Sequence, residues 1–249
     1  MDDSEVLAGG NASGEVVRVG KTVRKQWNAT TPRVVAFLKA LADAGVDVPA
    51  THGRDELGRL VLDFIPGTLA IELAPLPADV VYRVGELIRR IHDVSTQIPV
   101  PSDWPEGLLP APHADLICHN DLATWNLVID GERLVLIDWD ATAPSSRPWD
   151  LAYAATSFGH LFPDADVRAS ADLLAAFIDG YGADRALREQ LPGLMVERAR
   201  AMYDLLRTSH AKGLEPWASM FIGHHGEHWL NTTDFIQRHQ TDWIRALLG

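Results

Sequence analysis

Asp121, Asn126 and Asp138 set the chemistry that this sequence can do. The amide stands five residues after the first carboxylate, and the second carboxylate twelve residues after the amide. A hairpin fits the longer gap: Leu127-Val128-Ile129 as one strand, Asp130-Gly131 as the turn and Leu134 to Ile137 as the return. It would bring Asn126 and Asp138 to the same end. A neutral oxygen beside a charged one suits a hard cation such as magnesium, the ion that accompanies a nucleotide. Asp121 lies outside that pair, free to orient an acceptor hydroxyl and take its proton. Phosphoryl transfer needs this kind of positioning and charge neutralisation more than covalent help.

The elements that would position these groups divide the chain unequally. Glu15 to Val19 alternates as a strand, Gly20-Lys21 reads as a turn, and Thr22 to Gln26 as the partner strand. Alternation puts Val23 and Lys25 on one face, so Lys25 is expected to hold the donor phosphates. A register slip of one would give that place to Arg24. The run Leu7 to Val16 is rich in small residues. Its backbone near Gly10 and Ser13 could approach phosphates, although it is neither a Walker A loop nor a clean G-x-G-x-x-G, and a plain flexible hairpin describes it as well. A helix is expected from about Thr31, capped by Thr30 or Thr31, with an apolar stripe of Val34, Phe37, Leu38 and Leu41 and a stop at Gly45. Leu60 to Ile65 reads as a buried strand ending at Pro66-Gly67. Asp63, Phe64 and Ile65 would offer backbone groups to the adenine. Beyond it, Val80 to Val94 is helical, Pro99 to Pro112 is a loop, and helices follow Leu151 with breaks near Gly180–Gly182, Pro192-Gly193 and Gly213. The expected fold is α+β and bilobal: a small β-rich lobe over residues 1–66 and a larger helical lobe over 67–249.

The stretch Cys118 to Ala152 carries a family resemblance. His119, Asp121 and Asn126 match the kinase catalytic loop H-R-D-x-x-x-x-N in spacing, with Asn120 in place of the arginine. The whole stretch resembles the aminoglycoside phosphotransferase family, with its choline-kinase-like relatives, and is most similar to bacterial members carrying a CHNDLAPWN signature. The resemblance implies a protein-kinase-like fold, ATP as donor, magnesium, and a hydroxyl acceptor on a small molecule. It implies that Asp121 is the catalytic base and that Asn126 and Asp138 hold the metal. Trp139 and Asp140 then stand where protein kinases have the Phe and Gly of DFG, and Asp150 would brace the catalytic loop. One departure stands out. Kinases pair the strand lysine with a glutamate on the next helix, yet Pro32 to Ala42 holds no acid. Lys25 is therefore expected to rest on Asp138 or the nucleotide alone and to be loosely fixed.

Composition narrows the partners. A net charge of −12 over 249 residues argues against nucleic acid and suits a cationic acceptor, an antibiotic among them. No apolar run reaches membrane-spanning length, the acidic start lacks a signal-peptide pattern, and a single cysteine, Cys118, makes a reducing cytoplasmic setting the expectation. His119 reads as a structural support for the loop. His224 and His228 have helix-face spacing, but with Trp229 they suit an acceptor pocket better than a metal. Two functions stand: an ATP-dependent kinase of a small hydroxylated molecule, or a catalytically weak kinase-fold protein that binds or sequesters nucleotide or ligand. The missing helix glutamate favours the second, and the intact Asp121, Asn126 and Asp138 the first.

Overall fold

The computed structural model describes residues 4–7 and 14–249. A sheet-rich N-terminal part precedes a helical C-terminal part. The first holds β1 (Ser4–Leu7), β2 (Val16–Val19), β3 (Thr22–Lys25), α1 (Thr31–Asp43), β4 (Thr51–Arg54) and β5 (Leu60–Asp63). Its antiparallel sheet has the order β1-β2-β3-β5-β4. β3 is therefore central: Arg24 faces Val17 on one side, and Lys25 faces Leu60 on the other. Pairing on both edges fixes the register of Lys25 against slippage.

Asn28 nucleates α1, and neither Thr30 nor Thr31 caps it with a side chain. The Asn28 Oδ1 accepts from the backbone amides of Thr30 and Thr31 at 2.9 and 3.0 Å. An Asx side chain just upstream thus satisfies the helix's early donors. Val34, Phe37, Leu38 and Leu41 are buried on one face, and the chain leaves the helix through Gly45 with φ 81°.

After β5 the chain runs through β6 (Thr68–Leu69), α2 (Ala78–Ser95), β7 (Leu116–Cys118), β8 (Leu127–Asp130), β9 (Arg133–Leu136) and β10 (Ala143–Ser145). β6 joins the β8–β9 hairpin, and β7 pairs with β10. Gly67 permits the first of these contacts: its φ is 138°, and an added Cβ would lie 2.6 Å from the Ile129 carbonyl oxygen. The hairpin turn is Gly131-Glu132, one residue later than Asp130-Gly131, because Asp130 pairs with Arg133 and Gly131 takes the positive φ.

The helices α3 (Arg147–Phe158), α4 (Val167–Tyr181), α5 (Arg185–Lys212), α6 (Trp217–Met220), α7 (Gly226–Arg238) and α8 (Gln240–Leu248) complete the fold. α4 ends at Gly182 and α5 at Gly213, both in the left-handed region. Pro192-Gly193 does not break the chain; it lies inside α5. An internal proline costs a helix about 3 kcal/mol. The buried Leu191, Met195, Ala199 and Leu206 along α5 supply packing that offsets it. Among the described residues, no helix is long and apolar enough to cross a membrane.

α2 and α4 cross at two glycines. A Cβ on Gly180 would overlap the Tyr82 carbonyl, and one on Gly85 the Phe177 carbonyl. Both obstacles are backbone, so neither can rotate away. Gly180→Ala gains helix propensity but is expected to destabilise the protein by about 1–3 kcal/mol through overpacking. Thermal unfolding checks this; an unchanged or raised midpoint would mean that the helices are not in contact there.

Candidate active site

His119 to Asn126 forms a tight loop between β7 and β8, held by its own buried residues. His119 is fully buried. Its Nε2 meets the Ile137 carbonyl at 3.1 Å, and its Nδ1 accepts from the Asp121 amide at 3.3 Å. Its ring packs on Trp139 at 4.5 Å. That makes it a structural histidine joining the loop to the end of β9. Asn120 has φ 65°, a conformation that asparagine tolerates better than most residues, and it is followed by the half-buried Asp121.

Asp121 and Asn126 meet directly. The Asn126 Nδ2 donates to Asp121 Oδ2 at 2.7 Å and to the Asp121 carbonyl at 2.9 Å. The Trp125 indole reaches the same carboxylate oxygen at 3.5 Å. Asn126 is buried, whereas Trp125 is exposed at 36%. With its amide nitrogen so engaged, Asn126 has its carbonyl oxygen to offer a cation.

The hairpin carries the site on to Asp138. The Ile137 amide donates to the Asn126 carbonyl at 2.9 Å, so Asp138 follows directly on the residue that adjoins Asn126. Asp138 itself adopts φ 57°. Trp139 turns inward: it is 4% exposed, its Nε1 donates to the Leu136 carbonyl at 3.0 Å, and its ring meets Phe37 of α1. The carboxylates on either side of it face Lys25. Lys25 Nζ lies 2.6 Å from Asp138 Oδ1 and 2.7 Å from Asp140 Oδ2. Burial pulls the ammonium's pKa down, but the charges of Asp138 and Asp140 outweigh it, and the net direction is up.

Lys25 is therefore not loosely held. It is 6% exposed and has two carboxylate partners. Arg24 points to the other face, where it donates to Thr22 Oγ1 at 2.6 Å and lies 3.5 Å from Asp55. Of the residues expected at the adenine, Asp63 receives His52 at 2.7 Å, and Phe64 lies under the Arg18 guanidinium at 3.8 Å. Their amides are already taken, by the Ala50 and Lys21 carbonyls. Ile65 is buried against Val128 and Val135. Gly10 and Ser13 lie outside the described residues.

A set of buried polar groups lies beneath the loop, with Asp150 bracing it. Asp150 accepts from the Asn120 amide at 2.9 Å and from His92 at 3.1 Å, and His92 in turn meets the Tyr181 hydroxyl at 2.9 Å. His92, Cys118 and Asp150 are close enough to hold a metal. The His92 nitrogens and Asp150 oxygens are, however, committed to these hydrogen bonds. Burial, reinforced by the charges of Asp150 and Asp115, pushes the Cys118 thiol well up, which keeps it protonated. Tyr153 is buried beside Asp121; burial first, then that carboxylate's charge, pushes its phenol well up. Arg198 of α5 lies over the Tyr153 ring at 4.4 Å and donates to the Asn120 carbonyl at 3.3 Å. Burial pulls its pKa down against the charges of Tyr153, Asp150 and Asp121.

An aromatic wall continues from Tyr153. Trp229 stacks on it at 5.7 Å, and His228 packs between Trp229 and Phe162. His224 does not join them. The helix face expected to carry both histidines is interrupted, since Gly223 and His224 are non-helical, and His224 is exposed.

The amino-acid sequence matches the profile of the phosphotransferase enzyme family (APH) over residues 3–110 and 100–191. A probable bifunctional tRNA threonylcarbamoyladenosine biosynthesis protein of Methanocaldococcus jannaschii is 23% identical over 165 residues, which make up 66% of this chain and 26% of that protein. The chain spans about a quarter of the length of the curated relatives it matches. Among solved structures, an amicoumacin kinase in complex with AMP-PNP, Ca2+ and Ami aligns with a TM-score of 0.69 at 14% identity, over 93% of this chain and 88% of that one. A choline/ethanolamine kinase family protein from Mesorhizobium loti aligns with a TM-score of 0.64 at 18% identity, over 98% and 92%. At these identities the likeness is one of fold.

Proposed function

This chain belongs to the phosphotransferase enzyme family, and from that premise we propose that it moves the γ-phosphoryl group of ATP to a hydroxyl of a cationic small molecule. One observation carries the reading: an unbroken series of contacts from Asp121 through Asn126 and Ile137 to Asp138 and Lys25. In this reading the carboxylate at one end, already held by Asn126, serves the acceptor, and the ammonium at the other serves the donor phosphates.

In this reading Asp121 receives the acceptor's proton as its oxygen bonds to the γ-phosphorus. The bond to the bridging oxygen breaks, and ADP leaves. Asn126 fixes the carboxylate's rotamer by donating to one oxygen. Asn126 and Asp138 offer the hard oxygen donors that magnesium requires, and that ion, when bound, neutralises phosphate charge. Asp63, Phe64 and Ile65 border the adenine side; with the first two amides committed to the sheet, the base would meet carbonyls and the Ile65 amide. Trp125 gives the acceptor an exposed aromatic face next to Asp121, backed by the buried Tyr153–Trp229 stack. Such a surface, on a chain of net charge −12, favours an amine-bearing acceptor, an aminoglycoside or other cationic antibiotic among them.

The test is ADP release from ATP and magnesium against a panel of amino alcohols and aminoglycosides. Acceptor-dependent release with a phosphorylated product is the expected result. ATP binding by calorimetry with no acceptor raising release above the Asp121→Asn level would leave a nucleotide-binding or sequestering protein as the better reading.

A further inference from the structure

We propose that Asp140 is a positioning residue for Lys25, supplying from the loop after β9 the carboxylate that α1 lacks. The inference rests on the kinase reading, since it concerns how the phosphate-holding lysine is held. An ammonium buried as deeply as Lys25 requires a compensating charge. In protein kinases a helix glutamate provides it. Here the last residue of α1 is its only acid, Asp43, and that carboxylate is exposed and paired to Lys39 at 2.7 Å.

Asp138 cannot do the whole work alone. If it holds a divalent cation, its charge is shared, and Lys25 keeps a full partner only in Asp140, 2.7 Å away. The geometry that permits this is local. Trp139 is anchored into the core, and the left-handed turn at Asp138 leaves both flanking carboxylates on the lysine's side. An ammonium has three donors. Two are spent on Asp138 and Asp140, and the third remains for a donor phosphate. The grip on phosphate is thereby set by the metal-binding loop itself, and a shift of α1 does not release it.

A double-mutant cycle of Lys25→Met and Asp140→Asn tests this on two readouts. For ATP with magnesium, measured by calorimetry, Asp140→Asn should weaken binding about ten- to a hundredfold, the scale of a lost charged hydrogen bond. The double variant should bind no worse than Lys25→Met alone. For the nucleotide-free protein, Asp140→Asn should lower the melting temperature when Lys25 is present. It should raise it or leave it unchanged in the Lys25→Met background, where two carboxylates otherwise repel. Losses that multiply in the double variant would overturn the proposal, as would a loss restored fully by excess magnesium, which marks a metal ligand and nothing more. The melting cycle needs neither nucleotide nor turnover. A chain with no kinase activity would still report the pair, and failure of this inference is separable from failure of the kinase reading.

Discussion

Asp121→Asn should cut phosphoryl transfer by about two to four orders of magnitude, the scale of losing a positioned base, with ATP affinity nearly unchanged. The substitution is close to isosteric and keeps an oxygen that Asn126 can hold. It removes the proton acceptor and nothing that reaches Lys25 or Asp138, which sit at the other end of the contact series. Turnover and calorimetry on the same preparation decide the point. Binding lost together with activity would reassign Asp121 to the nucleotide or its metal.

The second large effect concerns folding. Asp150 and His92 are both fully buried and 3.1 Å apart, and Asp150 also receives the amide that precedes Asp121. Asp150→Ala strands a buried histidine and orphans the Asn120 N–H. Each buried polar group left without its partner costs about 1–3 kcal/mol, so the two together cost about 2–6 kcal/mol, which for a chain of this size is a fall of about 4–24 °C in the melting midpoint. Asp150→Asn keeps an acceptor and should lose less. Equal losses in the two variants would show that packing volume, not the hydrogen bonds, is what Asp150 contributes.

The two expectations differ in how they could be read. The meeting of Asp121 with Asn126 was legible from spacing alone, because both lie on one loop contiguous in sequence. The bracing by Asp150 was legible only through resemblance, and its His92 and Tyr181 partners not at all. His92 lies 58 residues from Asp150, and nothing in a helical repeat distinguishes it from a surface histidine. Several strands escaped for a related reason. β4 is a polar, exposed edge, and β6 and β10 hold two and three residues, so none shows an alternating apolar pattern. The break expected at Pro192 failed because local propensity lost to the packing of a long buried face.

By itself, the sequence determined the groups that short-range geometry can place: Asp121 and Asn126 on one loop, Asp138 at the end of one hairpin, and Lys25 on one face of one strand. Period-two alternation and turn chemistry act over a few residues; they left Arg24 as the alternative to Lys25 and set the hairpin turn one residue early, and strand pairing decided both. Only the tertiary structure decided what those groups touch. Lys25 meets Asp138, one of its two expected partners, across 113 residues of chain and finds an unexpected second carboxylate in Asp140, while Arg198 and Tyr153 arrive beneath the loop from separate helices. Such contacts depend on how sheet and helices pack, through burial that is non-directional and blind to sequence separation. The motif spacing pointed to Asp138, but no local pattern encodes that Asp140 would share the buried ammonium.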